Sequence, residues 1–98
     1  MSMIWLVVCE VLFEPGDLPS ENTKGFMRVT MWGDTEDSLR NRLAQCLESY
    51  RWYLISIENA HPIDENVEYP EEIADMIDRT RGNPEAIIVG RVFSYTAE

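Results

Sequence analysis

Histidine occurs once in the 98 residues, lysine once and cysteine twice. The single histidine, His61, has no second imidazole with which to build a His-rich metal site. Cys9 and Cys46 form neither a paired-thiol motif nor a zinc-ligand spacing. A glycine-rich phosphate loop and a GxSxG nucleophile turn are also missing. No metal, no cofactor and no catalytic residue is therefore assigned. Positive charge is scarce as well: 8 Lys and Arg stand against 18 Asp and Glu, a net charge of −10. Phosphate backbones repel such a surface, which argues against general nucleic-acid or anionic-membrane binding. The opening run, Met3 to Cys9, stops at Glu10, far short of a membrane span, and lacks the basic start and cleavage site of a signal peptide. With two small, unpaired thiols, the composition fits a reducing cytoplasm.

What is present is enough apolar material for a packed core. Hydrophobic residues make up 45% of the chain and aromatic residues 10%, and the length is that of one α+β domain over residues 1–98. Residues 3–13, MIWLVVCEVLF, are too β-branched and too evenly apolar for an amphipathic helix and predict a long central strand. Residues 14–25 carry turn-forming residues and predict a long exposed loop. In 26–32, Met27, Val29 and Met31 alternate with Phe26, Arg28, Thr30 and Trp32, which predicts a strand with one core face and one half-exposed face.

Asp34 or Thr35 is placed to cap a helix whose apolar stripe is Leu39, Leu43, Cys46, Leu47 and Tyr50. Residues 52–59 predict a third strand, with Tyr53, Ile55 and Ile57 facing inwards. Pro70 opens a second helix over 71–81 with Ile73, Met76 and Ile77 on one face; Gly82 in a left-handed cap and Pro84 end it. Residues 86–95 form the last strand, with a bulge or a close backbone approach at Gly90.

The order ββαβαβ predicts a four-stranded, mainly antiparallel sheet with both helices on one face. In its parts this resembles a ferredoxin-like sandwich, although the first two strands are not separated by a helix as that fold requires. The resemblance concerns architecture only. The first and last strands are apolar at both parities, so they need cover on both faces. One helix layer covers one face, which leaves a second subunit, a ligand or the 14–25 loop to cover the other.

Between Glu58 and Asp78 there are 8 carboxylates and no Lys or Arg, so −8 of the net −10 lies in that segment. Asp64, Glu65, Glu68, Glu71 and Glu72 form its centre and are the candidate contacts for a basic partner. Asp64, Asn66 and Glu68 alternate as at the start of a calcium loop, but Tyr69 and Pro70 fall where such a loop turns on glycine. His61, in a loop within this segment, with Arg28 and Arg91 as anion contacts, would be the elements of a pocket.

Three functions follow. The first is a small cytoplasmic protein-interaction or regulatory module, acting as a homodimer with an acidic face. The second is an immunity protein or antitoxin that neutralises a basic enzyme. The third is a small dimeric α+β enzyme or ligand-binding protein using His61. The doubly apolar strands, the concentrated charge and the missing catalytic motifs favour the first.

Overall fold

A computed structural model describes residues 2–13 and 23–96. The chain order is β1 (Met3–Phe13), β2 (Thr23–Gly33), α1 (Glu36–Ser49), β3 (Trp52–Pro62), α2 (Glu71–Arg81) and β4 (Ile87–Thr96). This is the expected ββαβαβ order and the expected antiparallel α+β sheet, with strand order β3-β1-β2-β4. The long loop expected over 14–25 falls mostly outside the described residues; its last three, Thr23 to Gly25, belong to β2. Among the described residues no helix is long and apolar enough to cross a membrane.

The sheet is sided by parity. Val7, Cys9 and Val11 of β1 share a buried cluster with Met27, Val29 and Met31 of β2. Helix α1 closes this face with Leu39, Leu43 and Leu47, a stripe at i, i+4 and i+8. Burying each such leucine is worth about 1.5–3 kcal/mol. Thr35 caps the helix, its hydroxyl accepting from the Ser38 N–H at 3.2 Å. A Cβ at Gly33 would collide with the Leu39 side chain, so glycine lets α1 start close against the sheet. Trp5 belongs to the same face, and its indole N–H donates to the Gly33 carbonyl at 3.0 Å.

Helix α2 packs on the opposite face, which corrects the expectation that both helices share one. Ile73 and Ile77 join Leu6 of β1 in a separate cluster. The Thr30 hydroxyl meets the Thr80 hydroxyl at 2.6 Å and the Met76 carbonyl at 3.2 Å, all buried. Thr80 donates to the same Met76 carbonyl at 2.8 Å, and the Trp32 indole N–H donates to the Thr80 carbonyl at 2.7 Å. A Cβ at Gly90 would lie 2.7 Å from Met76 Sδ, so this glycine admits α2 as Gly33 admits α1. The physical reason is in the strands: Ile4 and Leu6 are buried as well as Val7 and Cys9, and apolar residues at both parities need cover on both sides. The second cover is thus a helix of the same chain. The likeness to a ferredoxin-like sandwich ends here, since the sheet lies between its helices.

Helix α2 covers only part of its face. Eleven helical residues span about 16 Å, whereas eleven strand residues span about 36 Å. Beyond it lie the half-buried Val8, Glu10 and Leu12 of β1 and Lys24, Phe26 and Arg28 of β2.

Strand β3 departs from simple alternation. Its register against β1 shifts between Val8 and Cys9 and again between Glu10 and Val11. Each extra residue reverses the parity downstream. Trp52, Leu54, Ile57 and Ala60 therefore pack against the α1 cluster, while Tyr53 and Ile55, expected inside, are exposed. The chain turns from α1 into β3 through Arg51, at φ 63°, a left-handed conformation that disfavours side chains. Gly82, expected to take such a conformation, is right-handed at φ −84°.

Cys9 is fully buried, and burial pushes its thiol up to about 12. The thiolate is the nucleophile, so Cys9 stays protonated and unreactive through pH 9, whereas Cys46 is only half-buried and open to reagent. Counting thiols labelled by an alkylating reagent at pH 8.5 is expected to give one in the native protein and two after denaturation. The α2 lock has its own test. Thr30→Val should lower unfolding free energy by about 1–2 kcal/mol, and Thr80→Val added to it should cost less than the sum of the two, as denaturant titration reads directly. Arg51→Gly relieves the left-handed side chain and should raise stability by about 0.5–1 kcal/mol in the same assay.

Candidate functional site

The acidic segment is built as a fixed turn followed by a helix. Pairing with β1 continues one residue past β3, with the Ile63 N–H donating to the Ile4 carbonyl at 3.0 Å. The chain then folds back on Asp64. The Asn66 N–H donates to Asp64 Oδ1 at 2.9 Å and the Val67 N–H to the Asp64 carbonyl at 3.1 Å. The Asp64 N–H donates to the Tyr69 hydroxyl at 3.0 Å, while the Tyr69 ring packs with Ile63 against Leu6, Ile73 and Ile77. Short polar side chains that bond their own backbone set such turns without a packed core of their own. Pro70 stands before the first turn of α2, its carbonyl accepting from the Ala74 N–H at 2.9 Å. Glu71 and Glu72 occupy that first turn, where the positive helix end favours carboxylates.

Between this turn and α2 lies a groove of about 350 Å³. Its floor is apolar: Ile63, Tyr69, Ala74 and Ile77, with Val67 at the rim 49% exposed. Asp64, Glu65, Glu68 and Asp78 line its walls, and Arg81 is the one basic residue among them. Arg81 Nη2 reaches Glu65 Oε1 at 2.6 Å across an exposed surface. Such a pair contributes little to stability, about 0–1 kcal/mol, and is readily exchanged for another cation. Carboxylates around an apolar floor suit a Lys or Arg side chain, whose alkyl stem lies on the floor while the head meets the walls.

The structure thus places Asp64, Glu65 and Glu68 on one groove, joins Asp78 to them, and sets Glu71 and Glu72 at the adjacent helix start. The other candidates lie elsewhere. His61 is on β3, not in a loop: the strand runs on to Pro62, and His61 pairs with Leu6 across the ladder. Arg28 sits on β2 opposite the extra residue of β4, where Gly90 and Arg91 fall between the Val89 and Val92 pairings. The two arginines are therefore neighbours across adjacent strands, but β1 separates them from His61. None of the three lines the acidic groove.

A second cleft was not foreseen. It holds about 260 Å³ between α1 and β4 on the α1 face, lined by Leu43, Cys46, Leu47 and Tyr50 of the helix, Trp52, and Ile87 and Val89 of β4. The sequence does contain a signal: the apolar stripe of α1 is wider than its buried line of three leucines, with Cys46 half-buried and Tyr50 66% exposed. No protein-family model, no curated protein and no solved structure matches the chain.

Proposed function

We propose that the protein is a protein-interaction module that works as a homodimer and receives a basic segment of a partner protein in the groove between the Asp64–Tyr69 turn and α2. The observation that carries this reading is the groove's make-up, four carboxylates over an apolar floor. The turn is held by its own hydrogen bonds, so little ordering is lost when a partner arrives. The surrounding segment holds −8 of the net −10, a field that steers a basic partner and weakens with salt. Support for an enzyme is weaker, because His61 does not meet Arg28 or Arg91 in a common pocket.

Titration with a short peptide of alternating arginine and leucine, followed by amide chemical shifts, tests the groove. Shifts should centre on Val67, Tyr69 and Ile77. Glu68→Lys with Asp78→Lys should weaken the affinity by at least about tenfold, roughly 1.4 kcal/mol, while Glu36→Lys with Asp37→Lys on α1 leaves it within about threefold. Equal losses in the two double variants would mean that net charge alone attracts the peptide, and the groove would not be the site.

A further inference from the structure

We infer that the second copy docks along the outer edge of β4, pairing its own β4 antiparallel so that the two sheets become one. This rests on the homodimer reading above and names its seam. Among the described residues, strand β4 pairs with β2 on one side only, and β3 is the sheet's other edge. An edge strand offers a row of backbone donors and acceptors ready to pair with another strand. The two edges are not equivalent. β3 carries two register breaks and the exposed Glu58, ends in Pro62, and leads straight into the acidic turn. Bulges, charges and proline are the features that keep an edge from pairing. β4 has a single register break and, from Ile87 to Thr96, no Asp, Glu or Pro. Repulsion between two chains of charge −10 is least at a seam free of carboxylates, and β4 is the edge strand without one.

The α1 side of the seam is apolar. Val89, 42% exposed, follows Ile87 along the cleft bordered by Cys46 and Tyr50, and Val92, 36% exposed, continues the row on the same face beyond it. A two-fold axis perpendicular to the sheet keeps each face on its own side. The Ile87–Val89–Val92 row of one copy then meets the same row of the other, and the two clefts join beneath the two α1 helices. The interface is self-complementary, as a closed dimer requires. The edge thus fits a second copy in three respects at once: an outer side that no described strand pairs with, a matching apolar row and the absence of carboxylates.

Sedimentation equilibrium tests the seam, with circular dichroism to check folding. The wild-type chain should have twice its 11.4 kDa mass, Val89→Lys and Val92→Lys the mass of one chain, and Ile55→Lys on β3 the wild-type mass. Amide exchange on the wild type gives a reading that needs no variant: the outward amides of β4 should be protected and lose protection on dilution, while those of β3 exchange freely. A wild type that sediments as one chain overturns the homodimer reading and the seam together. A dimer that survives both β4 changes, or dissociates with Ile55→Lys instead, overturns the seam and leaves the homodimer standing.

Discussion

β1 is buried on both of its faces and paired along both of its edges. Ile4 and Leu6 point to one side, Val7, Cys9 and Val11 to the other, and β2 and β3 flank it. Water must be kept from both rows, and one helix cannot do this. α1 crosses from β2 to β3 over the Val7 row, and α2 covers the Leu6 row. Two glycines allow the close approach, Gly33 beneath Leu39 and Gly90 beneath Met76. The polar side chains on α2's face are recruited into the packing. Thr30 would be an unsatisfied hydroxyl under an apolar helix, but Thr80 and the Met76 carbonyl take up its bonds. Buried polar groups with full sets of partners fix one arrangement out of several that hydrophobicity alone would accept.

The candidate site is a consequence of where α2 goes. To reach the face opposite α1, the chain must turn sharply out of β3, and residues 63–70 make that turn. Their carboxylates remain in water, while Ile63 and Tyr69 are drawn under the helix. The result is an apolar floor walled by acid. The same placement leaves the α1 side of β4 open, because α1 lies towards β3 and β1, and the cleft at Cys46 and Tyr50 follows.

Much of this was legible in the residues. The six elements and their order follow from periodicity and punctuation, and α2 runs over 71–81 as its proline and its apolar stripe indicate. The acidic wall was legible too, since Asp64, Glu65 and Glu68 are close in sequence. The double-faced burial of β1 could be read from Ile4, Leu6 and Val8 alternating with Trp5, Val7 and Cys9. What could not be read was which element supplies the second cover, because that depends on how α2 crosses the sheet and not on its own stripe. The inward face of β3 was misread because bulges shift parity without a marker in residue type; nothing about Ile55 or Glu58 distinguishes them as extra residues. Arg51 in a left-handed turn is similarly silent, since glycine is the usual occupant and arginine does not announce it.

The acidic groove and the open β4 flank both derive from the placement of the sheet between its two helices. Nuclear Overhauser contacts of the Met76 methyl group test it most directly. Cross-peaks are expected from Met76 to the Gly90 α-protons and the Thr30 methyl group, with Leu39 and Leu43 contacting Met27, Val29 and Met31. Cross-peaks from Met76 to Met27 or Val29 would put both helices on one face and contradict it.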